Sequence, residues 1–423
     1  MSRKLNVFVD TILVGQLTED NNLWAFQYHT DWLASEESYA LSPAIPLSTA
    51  KLIDGASIRP VQWFFDNLLP EEAARTLLAK DTQLPVSDAF GLLEAAGAES
   101  AGAITLLPQG QSPGAGGVEL LTTDELSARI RALPKTPLNR AEHKRMSLAG
   151  AQHKMLIIYH NQQLYEPSGF FPSTHILKPE HPSSELYFHT PRNEWFVMKL
   201  AAACGLKVPQ VDIQYLPEPV YLIERFDRKG QYPNQQRLHV LDGCQLLNLA
   251  HTMKYSNSNA TTLQALAENA RMIGVTRLTL FKWAVFNALV GNGDAHLKNL
   301  SFFITSGDAV LTPHYDLLST IIYARMGNHM HEKLSQPMGN ATTFGELTQT
   351  DVMAFANALN IPDNLAKREL QQLLAKVPVQ ADKLFHLVQS LPWHHGMAGE
   401  LRMLRQICTL AIGEMVQRLS APA

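Results

Sequence analysis

The sequence predicts a two-lobed α+β fold, strand-rich up to about residue 240 and all-helical beyond it. Three observations carry that expectation. Up to residue 240, apolar side chains mostly gather in short β-branched and aromatic runs, whereas afterwards they recur at helical spacing. With 423 residues and 46% hydrophobic side chains, the chain is long enough for two or three domain-sized cores. A stretch rich in Pro, Gly and Ser, "PQGQSPGAGG" from Pro108 to Gly117, marks off a small N-terminal unit. The expected units are 1–115, 116–240 and 241–423.

The elements follow in order. "LNVFVDTILVGQL" reads as a hairpin turning near Asp10 and Thr11, and "LWAFQYH" and "AITLLPQ" read as further strands, with the helical "PEEAARTLLAKD" between them. From about 145, "KMLIIYH", "THILKP" and "VYLIERF" are strands. The helix "NEWFVMKLAAACGL" lies among them, opened by Asn193 as N-cap and stopped near Gly205, with Pro209 beyond. After 240 come "GCQLLNLAH", "TLQALAENARMI", "LTLFKWAVFNALVG", "VMAFANALN", "NLAKRELQQLLAKV" and "AGELRMLRQICTLAIGEMVQRL", all helical in pattern. One hairpin interrupts them, because "LSFFIT" and "AVLT" flank the turn composition "SGD". There is no internal repeat and no low-complexity segment.

Composition narrows the function. A net charge of -4 gives no general electrostatic reason to coat nucleic acid. Cys204, Cys244 and Cys408 are far apart without CxxC spacing, which argues against a disulfide framework or a thiolate zinc site and fits a reducing compartment. The N-terminal apolar run is broken by Asp10 and Thr11, and no uninterrupted apolar stretch approaches membrane-spanning length. The expectation is a cytoplasmic protein with no membrane contact.

The chemistry concentrates in "GNGDAHLKN", Gly291 to Asn299, which follows the apolar run "LTLFKWAVFNALV" directly. Asn299 stands just before the first strand of the predicted hairpin and Asp316 just after the second. A hairpin brings its open ends together, so Asn299 and Asp316 should lie side by side with Asp294 on the adjoining loop. Two carboxylates and an amide carbonyl form an oxygen-rich site of the kind that suits Mg²⁺ together with substrate phosphates. The spacing Asp294-x-x-x-x-Asn299, with Asp316 after a hairpin, is similar to that of protein kinases. There the first Asp accepts the substrate hydroxyl proton and the Asn and later Asp hold the metal.

A kinase-like order also holds upstream. "SLAGAQHK", Ser147 to Lys154, has small residues around Gly150 that would let backbone N–H groups approach phosphate, a composition that also serves an ordinary tight turn. Lys178 in "THILKPE" stands where a strand lysine would reach α/β-phosphates, or is simply an exposed strand lysine. Glu194 either pairs with Lys178 or favours the first turn of its helix through the dipole. "VYLIERFDR" ends a strand at Glu224, Phe226 and Asp227, where a hinge would take adenine on its backbone and Asp227 would reach ribose, or where a strand end is merely solvated.

Taken together, "PVQWFFDNLLPEEAAR", "MSLAGAQHKMLI", "HILKP", "NEWFVMKLA", "LIERFDR", "LDGCQ" and "GNGDAHLKN…TPHYD" resemble the HipA family of type II toxin–antitoxin kinases over nearly the whole chain. The resemblance implies a protein-kinase-like fold with a HipA-type N-terminal subdomain over 1–115, a kinase N-lobe over 116–240 and a helical C-lobe over 241–423. It implies Asp294 as catalytic residue and Asn299 and Asp316 as Mg²⁺ ligands. ATP would be bound by Ala149, Gly150, Ala151, Gln152, Lys154, Lys178, Glu224, Phe226, Asp227, His296 and Lys298. It further implies autophosphorylation at Ser147, a helix-turn-helix antitoxin of the HipB type, and DNA contact only through the antitoxin complex. The protein substrate would be a translation component such as an aminoacyl-tRNA synthetase. His153 departs from the better-known family loop, which has Glu there.

Two other classes compete. Dense histidines, His296, His314, His329, His331, His394 and His395, have a metal-like look, but the H-E-x-x-H spacing of a zinc hydrolase is absent. A catalytically weak kinase-like scaffold, acting as an antitoxin-bound co-repressor, would have no need of Asp294, Asn299 and Asp316 together.

Overall fold

The computed structural model describes residues 2–136, 138, 152–305, 308–325 and 327–421. The chain forms two compact units, and neither is a single run of sequence. One comprises Met1–Pro182, Tyr215–Met253 and Ser301–Ala309, and the other Ser183–Gln214, Lys254–Leu300 and Val310–Ala423.

The first unit is built on two antiparallel sheets. The expected N-terminal hairpin is β1 (Arg3–Val9) and β2 (Ile12–Asp20), running from the pair Arg3↔Glu19 to Val9↔Ile12 with a bulge at Val7/Phe8. With β3 (Leu23–Tyr28), the two-residue β4 (Leu52–Ile53) and β5 (Ile104–Pro108) the order is β4-β3-β2-β1-β5. Leu5, Val7 and Leu17 are buried, as are Phe65, Leu92 and Leu93 from helices Pro60–Asp66 and Ala89–Ala96. Those two helices are too short to show a clear period in the sequence. The first is opened by Pro60, and Asp54 accepts N–H bonds from Val61 (2.8 Å) and Gln62 (2.9 Å).

The second sheet contains, in spatial order, the strand Pro219–Glu224, β9 (His175–Pro179), β7 (Met155–His160), β8 (Gln163–Ser168) and β6 (Gly117–Leu120). Met155, Ile157, Leu177, Val220 and Leu222 close its core against Leu126 and Ile130 of the helix Thr123–Arg131. Continuous apolar runs are what a strand buried on both faces requires.

A buried ion cluster joins the residues just before β5 to those just before β9 and just after the strand Pro219–Glu224. Glu99, with no exposed surface, accepts from Arg228 (2.9 Å), Arg237 (2.5 Å), Ser173 (3.2 Å) and Arg225 (3.4 Å). Asp227 accepts from Arg225 through both oxygens (2.9 and 2.6 Å) and from the Gly102 N–H (2.7 Å). Burial alone would raise its pKa, but Arg225 and Arg228 outweigh that and hold the carboxyl at about 2.

The second unit is mostly helical. Its helix Ile273–Val290 buries Leu280, Phe281, Trp283, Val285, Phe286 and Leu289. Arg277 and Lys282 interrupt the apolar run of this helix, in keeping with the expectation of no uninterrupted apolar span. At 18 residues and a mean hydropathy of 1.3 it is long and apolar enough to cross a membrane, and 61% of that window is buried inside the protein. Its composition is that of a helix surrounded by protein. The helix expected from Asn193 starts earlier, at Thr190, with His189 at the N-cap and Pro191 in its first turn, and runs to Cys204. Asn193 is therefore fully buried within it, while Gly205 ends it in the left-handed region as expected. The final segment is helical throughout, as expected, with a π-helical stretch Ile407–Gly413 between Met397–Gln406 and Glu414–Ser420. A strand pair, Lys333–Met338 with Ala341–Thr343, also belongs to this helix-rich part of the chain. The three cysteines are free thiols.

Two outcomes follow for stability. His239 is buried, its Nε2 bonded to the Leu41 carbonyl (2.9 Å) and its ring stacked on Tyr39, and burial pushes its pKa down to about 4. The unfolded chain takes up this proton first, so the contribution is intact above about pH 6.5 and is lost as pH falls towards 4. Denaturant melts between pH 7 and 4.5 should show that fall, weakened in His239→Gln. Separately, Glu99→Ala leaves three guanidinium groups facing one carboxylate and should cost about 3–5 kcal/mol, read as an earlier melt.

Candidate active site

The site begins where the helix Ile273–Val290 stops. Gly291 ends it at φ 68°, and a Cβ there would collide with the Ile321 side chain and lie 3.3 Å from the Ala411 methyl. The Gly291 carbonyl accepts N–H bonds from Thr320 (2.8 Å) and Ile321 (3.1 Å), and the Thr320 hydroxyl accepts from the Gly293 N–H (2.7 Å). Asn292, buried and held by Asn287 (2.8 Å), accepts the Asp294 N–H (3.0 Å). The loop thus leaves the helix with its backbone fixed at every step.

Asp294 is held on its far side by Asn299. The Asn299 amide donates to the Asp294 carbonyl at 2.8 Å, which leaves the amide oxygen of Asn299 as an acceptor. Asn299, His296 and Lys298 are all buried, whereas 45% of the Asp294 side chain is exposed. Oδ1 of Asp294 accepts the Tyr255 hydroxyl at 2.5 Å and lies 3.9 Å from Nε2 of His296. The Tyr255 ring meets the His296 ring edge-on at 4.8 Å.

The hairpin predicted after Asn299 is present as Ser301–Thr305 and Asp308–Leu311, with 306 and 307 of its turn outside the described residues. The Tyr315 hydroxyl donates to the Lys298 carbonyl (2.8 Å), joining the residues next to Asp316 and Asn299. Asp316 is half-buried at φ 59°, a left-handed conformation uncommon outside glycine that clusters at functional sites. Three residues on, both backbone groups of Ser319 are clamped by Asn193, which accepts its N–H (2.9 Å) and donates to its carbonyl (2.8 Å).

In the first unit, Gln152 and Lys154 precede β7 and are half-buried. Lys154 lies one step beyond the pair Met155↔Leu177, at the ladder end where β9 carries Lys178. Lys178 is buried, paired with Tyr221 across the sheet, its ammonium 5.8 Å from the ring centroid. Burial, and secondly His181, push the His153 pKa down. Glu224 is exposed and Phe226 meets Phe303 edge-on, whereas Asp227 has both carboxylate oxygens engaged in the ion cluster. Ser147, Ala149, Gly150 and Ala151 lie outside the described residues.

Among the described residues no group of three or more His, Cys, Asp and Glu is placed to hold a metal ion, and His329 of "HMHEK" bonds to Glu414 at 3.1 Å. Tyr255, Thr320 and the buried role of Asn193 are the parts of the site that sequence reasoning misses. "MKYSNS" has neither periodicity nor motif, so no local signal marks Tyr255.

Comparison with known proteins places the chain in a family. Residues 146–381 match the HipA-like C-terminal domain and residues 5–107 the HipA N-terminal domain. The serine/threonine-protein kinase toxin HipA of Shewanella oneidensis is 30% identical over 396 residues, covering 88% of this chain and 87% of that protein. Y4mE of Sinorhizobium fredii is 33% identical over 386 residues, covering 88% of this chain and 89% of that one. A solved structure of Shewanella oneidensis HipA with HipB and its operator DNA matches with a TM-score of 0.79 at 26% identity, over 99% of this chain and 100% of that one. The chain belongs to the HipA family of serine/threonine-protein kinases.

Proposed function

We propose that the chain is the toxin kinase of a toxin–antitoxin pair, working in the cytoplasm with ATP and Mg²⁺. The observation that carries the reading is the bond from Asn299 to the Asp294 carbonyl, with the Asp294 carboxylate half-exposed beside it. Asp294 accepts the acceptor hydroxyl's proton or orients that hydroxyl. The donor chemistry of the site fits a hard cation: the Asp316 carboxylate and the Asn299 amide oxygen would hold Mg²⁺. Bound there, the ion offsets charge developing on the transferred phosphoryl group. Lys154 and Lys178 sit at one ladder end as phosphate-binding cations. Gln152 adds to them, with Ala149, Gly150 and Ala151 of the same sequence run assigned to the nucleotide by family resemblance. Buried Lys298 and His296 support the loop from within. Adenine is taken by the backbone at Glu224–Phe226. Because Asp227 is engaged by Arg225 and Gly102, we assign the ribose hydroxyls to exposed Glu224.

The partner is a helix-turn-helix antitoxin of the HipB type, a reading supported by the related HipA–HipB–DNA complex. With a net charge of -4, this chain reaches DNA through the antitoxin. Family membership supports a translation component, such as an aminoacyl-tRNA synthetase, as the phosphorylated protein.

Two experiments test this. Asp294→Asn should leave nucleotide binding within about two-fold while slowing phosphoryl transfer roughly 10²–10⁴-fold, and Asp316→Asn should weaken Mg·ATP binding as well. Calorimetry with a non-hydrolysable analogue and transfer of labelled γ-phosphate measure both, and full transfer by either variant sinks the assignment. Incubation with Mg·ATP should also add one phosphate at Ser147, seen by intact-mass and peptide analysis. With about -1.5 to -2 added charges beside the nucleotide's phosphates, the modified chain should bind ATP poorly.

A further inference from the structure

The backbone of Asp294 is fixed at its N–H by Asn292 and at its carbonyl by Asn299, but neither bond sets the rotation of the carboxylate. A half-exposed carboxylate at the reacting centre needs its orientation set, since misplacement of a catalytic group by an ångström costs large factors in rate. Tyr255 supplies a bond to that side chain. Its O–H lies 2.5 Å from Oδ1, a close hydrogen bond to the carboxylate.

The phenol, about half exposed, is braced on two sides. Its ring meets His296 edge-on, interplanar angle 85°, and the Lys254 ammonium sits 4.9 Å from the ring centroid. Lys254 is buried, and its carbonyl accepts the Ser258 hydroxyl at 2.7 Å. Asn259, next in the chain, caps the helix Ala260–Glu268 by accepting the Thr262 N–H. A five-residue segment pinned in this way can present one hydroxyl at a fixed point.

We propose that Tyr255 is a positioning residue for the phosphoryl transfer: it holds Oδ1 of Asp294 so that the other carboxylate oxygen faces the acceptor hydroxyl. The inference rests on reading Asp294 as the catalytic residue and adds a determinant outside the Asp294–Asn299 loop. A carboxylate has lone pairs enough for both partners, so the phenol and an acceptor hydroxyl can be bound together.

The test uses the full chain and consumption of γ-labelled Mg·ATP under single turnover, whether the phosphate goes to the chain or to water. Tyr255→Phe keeps the ring and removes the hydroxyl. It should slow turnover about ten-fold, the usual scale for one hydrogen bond to a charged group. The KM for Mg·ATP and the melting temperature should stay unchanged. In an Asp294→Asn background the same substitution should cost nothing further, a coupling that a general structural defect would not show. Equal losses in both backgrounds overturn the proposal, as does a Tyr255→Phe chain that turns over at the native rate. A faster variant also overturns it, by showing that the phenol competes with the acceptor. If Asp294→Asn itself consumes ATP as fast as the native chain, the catalytic reading of Asp294 has failed, and the Tyr255 proposal fails with it. Loss in Asp294→Asn with a native-rate Tyr255→Phe refutes the Tyr255 role alone.

Discussion

The geometry of the helical unit's candidate site depends on one steric constraint, the absence of a side chain at Gly291. The helix Ile273–Val290 must end in a left-handed residue for the loop to turn, and Ile321 occupies the space where a Cβ would go. Because that space is filled, the Gly291 carbonyl meets the N–H groups of Thr320 and Ile321, and the loop is joined to the segment that follows Asp316. Asp294 and Asp316 are far apart in sequence yet tied through these few bonds. Asn193 extends the same tie to the helix Thr190–Cys204 by clamping Ser319. A shift in any of these three segments is felt by the others, because each bond is to backbone and leaves little slack.

Much of this is legible in the sequence. Long helices, the N-terminal hairpin and the hairpin after Asn299 announce themselves through period and turn composition, and the Asp294–Asn299 spacing survives as a real hydrogen bond. What stays hidden has physical reasons. Short helices such as Pro60–Asp66 make too few turns to show a period. Asn193 has good N-cap chemistry, yet the helix begins at Thr190 because His189 and Pro191 provide a start and Ser319 offers the amide better partners. Asp227 looks like a solvated strand end until Glu99, over a hundred residues earlier, is seen in the same cluster. Tyr255 depends on contact across the fold alone.

That cluster also explains how the first unit holds together. Residues 99–102, Ser173 and 225–237 come from three stretches of chain, and five largely buried charged side chains join them. Buried ion pairs are costly to form and costlier to break, so their value lies in permitting one arrangement and penalising slipped ones. The strand end at Glu224–Phe226 is thereby fixed to the N-terminal sheet's last turn.

The π-helical stretch Ile407–Gly413 carries a different consequence. One wider turn shifts the register of the final helix, and the Ala411 methyl lies 3.3 Å from where a Gly291 Cβ would be. The matched C-terminal family domain ends at residue 381, yet this wall of the 291–299 loop is supplied some thirty residues later. The segment matched as that domain is therefore smaller than the segment that packs around the loop. A fragment trimmed to the former would retain Asp294, Asn299 and Asp316 and lose a surface against which their loop is cast.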